Sequence, residues 1–401
     1  MIKKTIIYKA LVLLTLLSVA CNPQPAAETA EADEQVSTAI AQVKSQYAPD
    51  KRVAIFDIEA VAQGDQLMLK GETDQPAATA ALLASLQENH TVIDSINTLP
   101  DVLLGEDTLG VVYISAANIR SQPRHSGELA TQATMGMPLR VLKKQGEWHL
   151  VQTPDKYISW MQGSFVPMNQ AEYDAWQAKE KAIFTNMYGF AYADPVRNDS
   201  IVSDLVAGNV MELVSETSQS YAVRLPDGRD AYVRKSESAP FAEWVAQAEA
   251  TESTLVSTAY QLMGVPYLWG GTSAKGVDCS GFTKTIYFMN GHILPRDASQ
   301  QVHAGELVDE EKNFENHRPG DLLFFGYAAT DSTRERVTHV GMWVGDNQFI
   351  HSPGLEARVK ISSIDPESEF YDAYNFNRYL RTKRMINSRQ DIISLRDVKL
   401  F

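Results

Sequence analysis

Two cysteines, Cys21 and Cys279, are all that the 401 residues contain. So few exclude a disulfide scaffold and any cysteine-rich zinc site. Positive charge is also scarce: 36 Lys and Arg stand against 50 Asp and Glu, a net charge of −14. Nucleic acid is therefore not expected as a partner, because phosphate binding needs clustered cations. Composition is otherwise that of ordinary globular protein, 44% hydrophobic and 21% charged. A disordered, collagen-like or multi-span membrane chain is ruled out. At roughly 150 residues per domain the length suggests two to four domains.

At the N-terminus, Lys3, Lys4 and Lys9 precede an uncharged run from Ala10 to Ala20. That run has the length of a signal peptide's apolar region and is too short for a permanent span. It ends in Ser18-Val19-Ala20-Cys21, which resembles a bacterial lipobox with Ser18 where leucine is usual. Residues 1–20 are read as a signal peptide and Cys21 as a lipidation site. Residues 21–35, rich in Pro, Ala and Glu, are read as a flexible tether. The expectation is an exported lipoprotein, monomeric and membrane-anchored, on the periplasmic face of a bacterial envelope. Cys279 would then be its one free thiol, either buried and inert or kept for reactivity.

The remainder reads as an α+β chain of four units. Residues 36–100 form a small α+β module, with strand-like alternation at Arg52–Ile58 and Gln66–Lys70 and a helix over Ala77–Gln87. No chemistry is assigned to it. Residues 108–168 carry short β-prone runs separated by turn residues, the spacing of a small barrel. Residues 184–240 repeat the pattern more faintly, after a helical linker at Asn169–Phe184. From 250 to 385 a mixed domain begins with a helix at Thr254–Met263, closed by Gly264 and Pro266.

Chemistry concentrates in this last domain. Asp278-Cys279-Ser280-Gly281 follows a glycine-rich loop, and Phe282, Ile286 and Met289 recur at helical spacing until Asn290-Gly291. Cys279 is thus expected at a helix N-terminus, where unpaired N–H groups favour a thiolate and can hold an oxyanion. A thiolate needs a base. His339–Val344 and Gln348–His351 read as a β-hairpin around Gly345-Asp346-Asn347. A three-residue turn pairs Gly341 with His351 and puts His339 on the same face, one diagonal step away. A two-residue turn would break this parity. The other histidines are read as ordinary surface or core residues.

Pro266-Tyr267-x-Trp269-Gly270-Gly271, Asp278-Cys279-Ser280-Gly281-Phe282, Pro295-Arg296-Asp297, Arg318-Pro319-Gly320-Asp321-Leu322 and His339-Val340-Gly341 together resemble the NlpC family of cell-wall cysteine peptidases. Both barrels resemble bacterial SH3-like domains. The resemblance implies a papain-like peptidase domain preceded by two SH3-like β-barrels and a small N-terminal α+β module. It implies Cys279 as nucleophile, His339 as general base and His351 as the residue orienting it, with no metal or cofactor. The domain order is similar to the family's γ-D-glutamyl-L-diamino acid endopeptidases, which act on peptidoglycan stem peptides with a free N-terminal L-Ala. On that analogy Tyr267 donates to the scissile carbonyl and Ser280 binds the peptide backbone. Asp297, Glu128 and Tyr157 hold the ammonium, and Arg296 meets a D-Glu carboxylate. Two alternatives stay open: a hydrolase of intact cross-linked murein, and a non-catalytic wall-binding lipoprotein.

Overall fold

The computed structural model describes residues 26–400 except 198 and 399. The expected signal peptide and Cys21 lie outside the described residues.

The first described element corrects one expectation. A helix, Ala26–Tyr47, covers most of the segment read as a tether. Ala and Glu, which suggested flexibility, are also strong helix formers. Val36, Ala39, Ile40 and Val43 fall at i, i+3, i+4 and i+7 and pack against the N-terminal module's core around Leu69 and Leu82. That module is a three-stranded sheet. Phe56–Gln63 and Gln66–Thr73 form an antiparallel hairpin, and Thr91–Thr98 runs parallel to the second strand. The helix Pro76–Gln87 makes the crossover that a parallel pair requires. The first strand begins at Phe56, not at Arg52, because Val53 and Ala54 turn back to hydrogen-bond the Asp50 carbonyl.

Two seven-stranded barrel-like sheets follow. The first spans Leu109–Met168 and the second Lys181–Pro240, joined by the helix Gln170–Gln177. Asn169 and Glu172 close that helix's start as a reciprocal capping box. In the first barrel, Val112, Ile119, Val141, Val151 and Met161 fill the core, while Leu142, Leu150 and Ile158 form a separate apolar cluster with Leu99 of the N-terminal module.

The C-terminal domain is built on a six-stranded antiparallel sheet. Its strands run in the order Glu306–Asp309, Tyr379–Arg384, Leu322–Tyr327, Arg336–Gly345, Gln348–His351, Lys360–Ser363. The helix Cys279–Phe288 packs on it through Phe282 and Ile286, against Val340, Met342 and Ile350. Burying each such side chain contributes about 1.5–3 kcal/mol, which fixes the helix axis relative to the histidine strand. The domain extends past residue 385. Ile393–Ser394 pairs with His292–Ile293, and Leu395 is buried.

The first barrel is fastened to this domain beside the nucleophile helix. Gln132 Oε1 accepts from the Thr272 N–H, Thr131 Oγ1 from Arg296 Nε, and Lys284 is paired with Asp155.

Candidate active site

Asp278 is the N-cap of the Cys279 helix. Its Oδ1 accepts from the Gly281 N–H at 2.7 Å and its Oδ2 from the Gly270 N–H at 2.9 Å. Arg296 grips the same carboxylate with both terminal nitrogens, at 3.1 and 2.6 Å. Gly281 is required by closeness of approach: a Cβ there would lie 1.9 Å from the Gly271 carbonyl oxygen. Cys279 itself is partly exposed at the first turn, and the N–H groups of Val340 and Ser280 bond its sulfur.

The histidine hairpin reaches the expected pairing by an unexpected route. Its turn has two residues, Asp346 and Asn347, both with positive φ, and Gly345 pairs with Gln348. Such a turn would have reversed the faces. A bulge between Trp343 and Gly345 skips Val344, so Trp343 pairs with Phe349 and Met342 with Ile350. The inserted residue restores the parity. His339 and His351 then share a face, with His339 Nε2 2.8 Å from His351 Nδ1. Gly341 lies between them, where a Cβ would come 3.2 Å from the His351 Cβ. Behind His351, Ser362 Oγ stands 3.0 Å from Nε2. Ser362 had no signal in the sequence, because it reaches the site only through the pairing of its strand with Gln348–His351.

Electrostatics differ from the sequence reading. Burial pushes the Cys279 thiol up to about 12, and Asp278 adds to this; the two N–H groups and Arg296 act the other way but do not prevail. A helix terminus contributes at most about 2 kcal/mol, less than the cost of burying a charge. Burial likewise lowers His339 to about 4, with Arg378 assisting, and holds His351 well below its ordinary value. Burial thus favours a neutral thiol and neutral imidazoles over a preformed ion pair. A proton must leave sulfur as sulfur attacks.

Cys279, His339, Tyr267 and Ser280 line one cavity of about 1010 Å³, together with Glu128, Tyr157 and Asp297. Burial, with Cys279 and Asp278 nearby, keeps the Tyr267 phenol protonated, hence a donor. Ser280 is buried, and its hydroxyl donates to Asp278 and accepts from Arg296. Arg296 is a correction. It is 1% exposed, absent from the cavity lining, and held by Asp278, Ser280 and Thr131, so it is not available to a substrate carboxylate. Asp297 reaches the cavity but is not free: its Oδ2 accepts from Tyr157 Oη at 3.3 Å and from Arg52 Nη1 at 2.8 Å. The cavity also holds Arg336 and Arg378, which the sequence reading passed over. Arg378 bonds Thr338 Oγ1 and Asn375 Oδ1 and stacks 4.0 Å from the Tyr374 ring; none of these partners is acidic.

Comparison with known proteins agrees with this architecture. Residues 264–384 match the NlpC/P60 family, and residues 119–164 match the bacterial dipeptidyl-peptidase Sh3 domain. A γ-D-glutamyl-L-lysine dipeptidyl-peptidase of Bacillus cereus is 31% identical over 264 residues, 64% of this chain and 77% of the relative. Dipeptidyl-peptidase 6 of Lysinibacillus sphaericus is 27% identical, over 65% of this chain and 93% of the relative. The crystal structure of an NlpC/P60 family protein from Bacillus cereus superposes with a TM-score of 0.60 at 26% identity, covering 69% of this chain and 99% of the other. With an SH3-like barrel fastened beside a cysteine in the first turn of a helix and a histidine pair across the hairpin, the chain belongs to the NlpC/P60 family of cysteine peptidases.

Proposed function

We propose that this peptidase cleaves the amide bond between γ-D-Glu and the diamino acid in peptidoglycan stem peptides with a free N-terminal L-Ala. Cys279 attacks the carbonyl carbon while His339 takes the thiol proton. His339 later returns it to the leaving amine, and His351 holds the base in orientation. Tyr267 and the first N–H groups of the helix stabilise the developing oxyanion. Ser280 borders the scissile bond through its backbone. Water then releases the acyl group from sulfur.

The observation that carries this reading is a single cavity in which Cys279 and His339 open beside Glu128 and Tyr157 of the first barrel, with Asp297 bonded to Tyr157. Glu128, beside Asp297, offers a partner for a free ammonium, and Arg378, whose bonded partners are uncharged, one for the carboxylate of the diamino acid. The relatives named for γ-D-glutamyl-L-lysine cleavage support the same bond.

Mass spectrometry of products from L-Ala-γ-D-Glu-diaminopimelate, its L-Lys counterpart and intact sacculi tests the reading. Release of the dipeptide from tripeptides is expected. N-acetylation should lower kcat/KM at least ~10-fold, since losing a charge-assisted bond costs about 1.5–3 kcal/mol and each decade is ~1.4 kcal/mol. Comparable rates on free and acetylated peptide would favour the hydrolase of intact murein, and no cleavage at all the wall-binding lipoprotein.

Lipidation of Cys21, export to the periplasmic face and a monomeric state are part of the same proposal. Blocking lipoprotein signal peptidase with globomycin should leave the precursor uncleaved. A mature form starting at any residue other than Cys21 defeats the anchor.

A further inference from the structure

Arg52 belongs to the N-terminal module, far in sequence from the peptidase domain, yet it lines the catalytic cavity. Its Nη1 donates to Asp297 Oδ2 at 2.8 Å and to Ser299 Oγ at 2.8 Å. On its other side the guanidinium forks onto Asp50, with Nε and Nη2 at 2.8 and 2.7 Å from the carboxylate oxygens. Asp50 is itself held by Gln300 Nε2 at 2.8 Å. The turn carrying Arg52 is fixed to the first barrel: the Ile158 N–H donates to the Arg52 carbonyl at 2.7 Å, and Gln152 Nε2 to the Val53 carbonyl at 3.2 Å.

Beyond Arg52 lies a second cavity of about 990 Å³, nearly the size of the first. Arg52 and Ser299 line both. Asp297 and Tyr157 face only the catalytic side, Asp50 and Gln300 only the far side. The guanidinium thus stands between the two cavities, tied to an acid on each side. Its planar fork suits this task, because it presents donors to two carboxylates at fixed angles, which a freely rotating ammonium does not.

We infer that Arg52 is a specificity-determining residue, the wall that ends the substrate groove beyond Asp297 and excludes peptides extended past their N-terminal residue. This rests on the orientation given under Proposed function, with the substrate's N-terminus at Asp297. The wall also sets the charge of that end. Asp297 is already paired with Arg52, so Glu128, exposed at the same rim, carries the remaining negative charge toward an ammonium. The N-terminal module is thereby part of the peptidase's selectivity and more than a spacer.

The test compares two substrates on each enzyme: the tripeptide L-Ala-γ-D-Glu-diamino acid, and the same peptide extended by one N-terminal glycine. The diamino acid is whichever the wild type accepts better. Arg52→Ala removes the wall between the two cavities, and the ratio of kcat/KM for extended over free tripeptide should rise at least ~10-fold. A ratio is unaffected by the fraction of enzyme that is folded, so partial destabilisation does not obscure it. Asp50→Asn, which loosens Arg52 without touching the catalytic cavity, should raise the ratio in the same direction by less. A ratio within twofold of wild type in whichever variant is folded overturns the inference. Failure of the underlying reading looks different: wild-type enzyme would then not cleave the tripeptide, or would ignore acetylation of its amine.

Discussion

His339 Nε2 and His351 Nδ1 are 2.8 Å apart, and this contact leaves Nδ1 as the nitrogen of His339 available to the thiol. With both rings neutral, two tautomer arrangements satisfy these contacts, since the Ser362 hydroxyl can donate or accept, and only one of them leaves His339 Nδ1 free to act as base. In that one His339 carries its proton on Nε2 and donates to His351, and His351 carries its own on Nε2 and donates to Ser362 Oγ. His339 Nδ1 then keeps a lone pair for the proton of Cys279. Ser362 acts on the base through His351, as a positioning residue.

Removal of these groups should follow that order. Cys279→Ala abolishes hydrolysis with the fold intact. His339→Ala lowers kcat by ~10²–10⁴, the usual contribution of a general base. His351→Gln costs less, since an amide still accepts from Nε2. Ser362→Ala should reduce kcat a few-fold with KM unchanged, and nitrogen NMR should show His351 losing its single tautomer. Unaltered activity in His339→Ala would mean that another group is the base.

The pH profile follows from burial. His339 works unprotonated, and with its pKa near 4 that form survives as pH falls through 6.5, the ordinary histidine value. The acid limb of kcat/KM should therefore break near pH 4. The unfolded chain takes up this proton at about 6.5, so folding stability declines over the window from 6.5 to 4. On the alkaline side, alkylation of Cys279 by iodoacetamide should keep accelerating from pH 8 to 10, because the thiol is pushed up to about 12. An acid limb near 6.5, or an alkylation plateau near 8.5, would contradict this account of the site.

Much of the molecule was legible because its signals are local. The helix after Cys279 follows from Asp278 as a cap and from the spacing of Phe282 and Ile286. The first barrel follows from turn residues at short intervals. What escaped is what depends on packing between distant segments. The bulge at Val344 cannot be read from Gly345-Asp346-Asn347, since it arises where the strand adjusts to its neighbours. The thiol's raised pKa is a property of burial, which a helix-terminus argument does not contain. Arg296 looked available beside Asp297 because sequence does not show that Asp278 and Thr131 converge on it from two domains. Arg52 was invisible for the same reason.

Arg296 offers a test of that correction. As a buried partner of Asp278, its loss leaves a carboxylate without its cation, which typically costs 3–5 kcal/mol. Arg296→Met should lower Tm by several degrees, and adding Asp278→Asn should restore part of it, because asparagine still caps the helix. Were Arg296 instead a ligand for substrate carboxylate, the single variant would raise KM and leave Tm alone. Thermal melts and initial rates on the same preparations distinguish the two.

Gly341→Ala probes the contact between the histidine strands. The added methyl would sit 2.8 Å from Phe349 Cδ2 and 3.2 Å from the His351 Cβ. Phe349 is fully buried and cannot swing away, so the strands must part. Overpacking of this kind costs about 1–3 kcal/mol. Because the displaced atoms include His351, the bond to His339 Nε2 lengthens and the base loses its fixed orientation. Asp297 and Tyr157 belong to other elements and keep their places in the cavity. The expected signature is thus a lower Tm and a kcat reduced ~10-fold or more, with KM little changed. Wild-type kcat in this variant would show that the histidine pair tolerates separation and that its geometry does not limit the reaction.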